Sequence, residues 1–531
     1  MKTIITIALL LLSNILFAQE QYENVTITFA EVNLSSSKTQ KIIKVFKSIE
    51  SYYIFKKEPV KGPGGWEYFL VELNSNFETI TTKKISKSFI EMTDWTFDDI
   101  QIVQGTALIF YHKQFKKENY VNFYCQKTYL SSNEIEAPKV IYKHDYSSSV
   151  YYKLKTKIVS SPNNKNLLIN VFIREARDDD DYYTKDKNEF ISYNIDSDTF
   201  SNFDLELTEG KYNSNYIQSF TIDNSSKSYI TTYNDTRTNS KLKVKHNFKY
   251  SLFIVNENIS EKKTINLSIG NNILISPTVL PHKDGSIYLV GFYASLSQDY
   301  NFGEFLFKID PQSGELTNEV ISILDKEFIT KVERERFDLS KKEKEKSFRF
   351  INYLQPIKLV EHLNGSISIV NEVSLEVMTI SEKGAVNRSH YHNNLVISRL
   401  NGGEYTSHTL YKKTKTRNYE NTIAFGENNE LVIVQVKRKI ELLGKELKQL
   451  TKDEKKKNAG YAIGTFRISE NGSIKESFLM DYMDDSYKTY KRYKELRGIS
   501  FIELNNNKIE LNIITNTIDR KFGFLKFQFD F

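Results

Sequence analysis

Four consecutive aspartates, Asp178 to Asp181, stand in the stretch REARDDDDYYTKDKNE from Arg174 to Glu189. Clustered carboxylates are what calcium binds, but helix–loop–helix calcium sites place their ligands at alternate positions with a glycine at the turn. Neither feature is present, and Lys185 and Lys187 offset the charge. The run therefore reads as a solvated loop. His390 and His392 in SHYHNN are two apart, which puts both imidazoles on one face of an extended strand. A metal needs a third ligand, and the spacing supplies none, so a strand-edge pair is expected. Trp66 follows the glycine-rich turn of KGPGGWEY. It is a candidate contact for a ligand at a loop, set against the commoner fate of packing on the core.

Catalytic signatures are missing. The chain has no GxSxG, no P-loop, no GxGxxG and no Cys/His pairing. Paired carboxylates of the glycosidase kind would leave no local signature. The single cysteine, Cys125, shares strand parity with Val121 and Phe123 in VNFYCQK, so a buried apolar role is expected and no intramolecular disulfide can form. No cofactor and no metal is expected.

Two stretches carry helical periodicity. VKRKIELLGKELKQLTKDEKKKNAG, Val436 to Gly460, places Ile440, Leu443, Leu447 and Leu450 on one stripe that must bury against the protein or a partner. LDKEFITKVERERFDLSKKEKEKSFRF, Leu324 to Phe350, is the other. A third stretch, about 484–498, combines bases with tyrosines, among them Tyr487, Tyr490 and Arg492, and is a candidate contact for an acidic polymer.

These candidates hang on a chain that is otherwise all β. Short β-branched and aromatic runs alternate with Asn, Asp, Gly and Ser turns. One unit recurs, best seen in HKDGSIYLVGFYASLSQDYNFGEFLFKIDPQSGELTNEVISI from His282 to Ile323. It holds two consecutive apolar strands followed by a polar one. The first apolar strand reappears as SYYIFKK, GTALIFYHK, KNLLINVFI, KSYITTY, GSISIVNEV, NELVIVQV and NKIELNIIT. Its partner reappears as far as GFLKFQFDF at the end of the chain. Strands apolar on both faces, with an outer strand polar on one, are the pattern of propeller blades. The chain resembles secreted bacterial β-propeller proteins over nearly its whole length. The resemblance is architectural and brings no family's functional residues with it. The eight copies of the unit give a single propeller of eight blades, with seven as the alternative, and the stretches near 324–350, 436–460 and 484–498 are expected as helical insertions.

The last unit lacks its outer strand. NVTITFAEVN, Asn24 to Asn33, is the expected replacement, pairing the two chain ends in one blade. The terminal aromatics Phe522, Phe524, Phe527, Phe529 and Phe531 also fit the last strand of an outer-membrane barrel. Against this, ALIFY, SLFIV and IYLVGFY are apolar at consecutive positions and leave no polar lumen face.

Location follows from MKTIITIALLLLSNILFAQEQ: a basic start at Lys2, an apolar run from Ile4 to Phe17 and a small residue at Ala18. This reads as a signal peptide over 1–18 with a propeller domain over 19–531, exported to the periplasm or cell surface. Net charge is +6, from 73 basic and 67 acidic residues, which argues for a mixed surface and against a nucleic-acid footprint. No transmembrane segment is expected. The sequence reading is an exported, non-enzymatic binding or scaffolding propeller with a protein or polysaccharide partner in the cell envelope. The alternatives are a polymer-acting hydrolase or lyase with its site at the channel mouth, and an outer-membrane barrel.

Overall fold

The computed structural model describes the chain from Ala18 to Asp530 except for connecting segments, the longest being 33–40, 86–94, 337–353, 412–421, 439–450, 452–460 and 482–496. The described strands form seven four-stranded antiparallel sheets and one five-stranded sheet. In chain order, sheet 1 spans 41–84, sheet 2 spans 95–145, sheet 3 spans 150–204 and sheet 4 spans 213–267. Sheet 5 spans 273–323, sheet 6 spans 354–411 and sheet 7 spans 422–481. The closing sheet joins 18–32 to 497–530. One helix, α1, Lys326–Arg336, lies among the described residues between sheets 5 and 6.

Where burial is described, the sheets bury both faces of their two middle strands, and this explains the consecutive apolar runs. In Thr106–Phe115 of sheet 2, Ala107, Ile109 and Tyr111 enter the core shared with sheet 1. Leu108 and Phe110, between them in sequence, enter the core shared with sheet 3. Strand side chains alternate between faces, so an apolar layer on both sides demands apolar residues at every position. The pattern continues: Ile169 packs toward sheet 2, whereas Leu168 packs toward Phe220 and Ile230 of sheet 4. The fourth strands alternate instead, as Thr79–Lys84 and Leu316–Ile323 do, because only one of their faces meets a neighbour.

The first strands line up side by side. Those of sheets 2 to 7 adjoin one another in series, and Arg497–Leu504 of the closing sheet adjoins Lys41–Lys47 of sheet 1. Polar side chains on these strands tether one sheet to the next. Lys44 Nζ donates to the Ile100 carbonyl (2.8 Å), Val279 N donates to Ser219 Oγ (2.9 Å), and Lys358 Nζ donates to the Ala424 carbonyl. Sheets in sequence order, faces packed on both neighbours and first strands gathered innermost make the architecture a β-propeller.

The closing sheet has the strand order Ala18–Tyr22, Val25–Val32, Phe522–Asp530, Lys508–Asn516, Arg497–Leu504. Val25–Val32 is thus the outer partner of the C-terminal strand, with Ile27 opposite Phe527 and Phe29 opposite Leu525. The expectation from NVTITFAEVN holds, and Ala18–Tyr22 adds a fifth strand that the sequence reading did not anticipate. A transmembrane barrel is a single closed sheet; here the strands divide into separate sheets, so the barrel reading is corrected. None of the described helices is long and apolar enough to cross a membrane.

The helical expectations are met in part. Helix α1 confirms only 326–336 of the stretch 324–350. Val436, Lys437 and Arg438 belong to the strand Glu430–Arg438, and Arg497 and Gly498 belong to the strand Arg497–Leu504; the rest of the second and third stretches, apart from Thr451, lies outside the described residues. The ladder keeps each side chain alternating at those strand positions, which overrides the helical spacing.

Antiparallel order sorts the connections into two ends. In every four-stranded sheet the first-to-second and third-to-fourth turns lie at one end, and the second-to-third and sheet-to-sheet connections at the other. The first, hairpin end is built of tight turns. In HKDGS, His282 N donates to the Ser286 carbonyl (2.8 Å) and Gly285 N to the His282 carbonyl (3.0 Å). HLNGS, from His362 to Ser366, repeats both bonds. Turns of neighbouring sheets are joined: Asn163 N donates to Asn224 Oδ1 (3.0 Å), and Ser226 Oγ donates to Asn166 Oδ1 (2.7 Å).

Gly285 and Gly365 both have left-handed φ, +90° and +75°. A Cβ at Gly285 would also lie 2.5 Å from Asn224 Nδ2, whereas one at Gly365 would meet nothing within 4 Å. Moving Asn224 aside would break its bond to Asn163. Gly365→Ala is therefore expected to cost about 1 kcal/mol of backbone strain, and Gly285→Ala about 1–2 kcal/mol more, measured by urea unfolding. Equal costs would refute the inter-turn account.

Candidate functional site

The second, open end carries the long connections 324–353, 439–460 and 482–496. Near it lie two buried acids that the sequence reading did not single out.

The first is Glu304, on the strand Phe302–Ile309 of sheet 5. It is fully buried, facing sheet 6. Asn371 Nδ2 of sheet 6 donates to its Oε1 (3.0 Å). His408 Nδ1 stands 3.7 Å from Oε2. The His408 ring is held through Nδ1 to Ser398 Oγ (3.0 Å) and, across the seam, through Nε2 to Ser322 Oγ of sheet 5 (3.1 Å). Tyr405 stacks on it with centroids 5.4 Å apart, and Phe328 of α1 lies 6.0 Å from it. Among the described residues, Glu304 Oε2, Asn371 Oδ1 and Tyr405 Oη have no hydrogen-bond partner.

Burial dominates the electrostatics. It pushes the Glu304 carboxyl up to about 8, against the opposing pull of hydrogen bonds from Ser398 and Asn371. Burial also pulls His408 down to about 4. Burial, reinforced by the Glu304 charge, drives the Tyr405 phenol well above its usual range. Near neutrality the cluster is an uncharged acid beside an uncharged base, and what it can do chemically is hold or release a proton. A charge buried without a counter-ion is costly, so neutrality is the stable state.

The second is Asp98, on Trp95–Val103 of sheet 2, whose Oδ2 is 2.8 Å from His112 Nδ1. Burial raises its carboxyl, opposed by the hydrogen bond from His112 and a weaker one from Thr156 of sheet 3. Each site holds one buried carboxyl with one histidine. Neither is a pair of carboxyls flanking a cleft, the arrangement a glycosidase needs.

The residues singled out from sequence fall differently. Trp66 opens the strand Trp66–Leu73, half-buried against the core of sheets 1 and 2, with Lys57 Nζ 4.7 Å from its ring centre. His390 and His392 lie two apart on Val386–Asn401, opposite Glu376 and Ser374, in a ribbon running past the fourth strand of sheet 6. Ile440, Leu443, Leu447, Leu450, Tyr487, Tyr490, Arg492 and Asp178–Asp181 lie outside the described residues. Among the described residues no group of three His, Cys, Asp or Glu is placed to hold a metal ion. Cys125 is buried, as its parity with Val121 and Phe123 required, and burial raises its thiol far above the usual range. Glu304 did leave a signal: it is the lone acid inside the apolar run FGEFLFKI.

No protein-family model matches the chain, and no curated protein matches it in sequence. Among solved structures it is similar to a protein of unknown function from Dyadobacter fermentans, at 9% identity and TM-score 0.31, covering 72% of this chain and 96% of that one. It is similar to the β-propeller domain of the Trilobed protease from Pyrococcus furiosus, at 10% identity and TM-score 0.33, covering 85% and 98%. It is also similar to an acylaminoacyl peptidase from Pyrococcus horikoshii, at 10% identity and TM-score 0.35, covering 92% of this chain and 59% of that one.

Proposed function

We propose that the chain is an exported, non-enzymatic binding or scaffolding propeller of eight blades that takes a protein or polysaccharide partner of the cell envelope at its open end. The observation that carries this reading is the sorting of the connections. All three long ones leave from the open end, while the hairpin end is closed by short, mutually hydrogen-bonded turns. Binding residues concentrate on loops held by a rigid scaffold, and here the scaffold offers such loops at one end alone. The five-stranded sheet serves as the eighth, closing blade. Export to the periplasm or cell surface is supported by the basic start at Lys2 and the apolar run from Ile4 to Phe17. Both buried acids are shut away from a polymer, which favours binding over hydrolysis or lysis.

The test is capture from the native envelope with the mature chain as bait. Replacing 439–460 by a short flexible linker is expected to abolish capture of the partner. Leu363→Asp, at an exposed hairpin-end position, is expected to leave it intact. Capture that survives the first change, or is lost with the second, sinks the proposal.

A further inference from the structure

We propose that the Glu304–His408 cluster is a proton-operated latch: it holds α1 against the seam between sheets 5 and 6, and raising the pH releases it. The argument starts from the packing. Leu324, Phe328, Ile329 and Val332 close over the seam core formed by Phe292, Phe302, Val373 and Val396. The strand Leu316–Ile323 leads directly into α1, and its Ser322 is the residue that His408 grips from the opposite sheet. The hydrogen bond that ties the two sheets beneath α1 is therefore made by a group in contact with Glu304.

The groups facing Glu304 decide the sign. From its own sheet this is Ser322, its cross-strand partner; from sheet 6 they are Asn371, Ser398, Tyr405 and His408, and the Tyr293 phenol on the other face of sheet 5 acts on Tyr405. Helix α1 turns Phe328, Ile329 and Val332 inward, while Lys326, Glu327 and Lys331 are exposed. Among the described residues no lysine or arginine pairs with Glu304. An ionised Glu304 thus meets the Tyr405 phenol, an uncharged imidazole and Asn371 Oδ1, and neither the phenol nor the amide oxygen has a hydrogen-bond partner among the described residues. The seam has little room to rearrange around it, because Phe292, directly across the strand pair from Glu304, and Val373 and Val396 of sheet 6 are all buried in one core. Opening the seam to water is the route that solvates the charge, and α1 is the element that must lift. The latch stands whether or not the open end binds a partner. Where it does, alkalinity would change what that end presents.

Hydrogen exchange on the full mature chain tests this, corrected for the intrinsic pH dependence of exchange. Between about pH 6.5 and pH 9.5, α1 amides are expected to lose protection about tenfold or more, while the strand Thr106–Phe115 of sheet 2 keeps its own. Glu304→Gln, uncharged at every pH, is expected to hold α1 protection nearly constant. The latch is overturned if α1 in the unaltered protein stays protected at the higher pH, if sheet 2 loses protection in parallel, or if Glu304→Gln shows the same loss.

Discussion

Ile27→Pro is expected to leave the chain unable to hold its closed form. Ile27 sits in the middle of Val25–Val32, which is hydrogen-bonded on one side to Phe522–Asp530 and on the other to Ala18–Tyr22, with Phe527 and Glu20 as its partners. Proline there removes the backbone donor from a strand paired along both edges and clashes with the ladder, at a cost of about 3 kcal/mol or more. The larger effect is topological. Val25–Val32 is the only segment joining the start of the described chain to its end within one sheet, and without it the C-terminal strand becomes an open edge. A domain's net stability is only about 5–15 kcal/mol, and an exposed apolar edge invites aggregation. The expected outcome is a lower unfolding midpoint, loss of a single cooperative transition and concentration-dependent association, read by circular dichroism and light scattering. Thr82→Pro, on the outer strand Thr79–Lys84 of sheet 1, is the comparison, because that strand pairs along one edge and closes nothing. If both substitutions cost the same, closure through the N-terminal strand contributes nothing special.

Glu304→Gln is expected to be more stable than the unaltered protein in alkali and close to it in mild acid. Glu304 has its folded pKa raised from 4.5 to about 8. Its contribution is fully present below about pH 4.5, is lost as pH rises through the folded value, and amounts to at most about 5 kcal/mol. The seam opening described above caps that loss, since once the carboxylate is solvated no further penalty accrues. His408 runs the other way: its folded pKa is lowered from 6.5 to about 4. Its contribution is present above about pH 6.5 and fades as pH falls toward 4, by about 3 kcal/mol at most. The unaltered protein should therefore show greatest stability in mild acid, with an alkaline decline that Glu304→Gln removes and an acid decline that it leaves. Urea unfolding across pH provides the measurement. An alkaline decline of the same size in both proteins would mean that Glu304 is charged or solvated already at neutrality.

Much of this architecture was legible in the residues themselves. Strand side chains alternate faces, so a segment such as ALIFY, apolar at every position, must be covered on both sides, and LTNEVISI, alternating, on one. Repeating that pair of signatures down the chain implies stacked sheets with solvent-facing outer strands. The missing outer strand of the last unit likewise pointed to NVTITFAEVN. Cys125 was readable for the same reason, since parity with Val121 and Phe123 is a local property.

The tertiary structure alone decided what depends on two distant segments meeting. Glu304 shows as an odd acid in an apolar run, but its partners Asn371, Ser398, Tyr405 and His408 come from another sheet, and no sequence spacing announces a seam. Asp98 and His112 meet across one strand pair, yet their burial depends on sheet 3 closing over them. The strand Ala18–Tyr22 was hidden because AQEQY carries no alternating apolar signal and owes its form to the ladder with Val25–Val32. Local composition determines which faces must be covered, because desolvation acts residue by residue. Which charge ends beside which, and therefore where a proton is held, is decided only when the sheets pack.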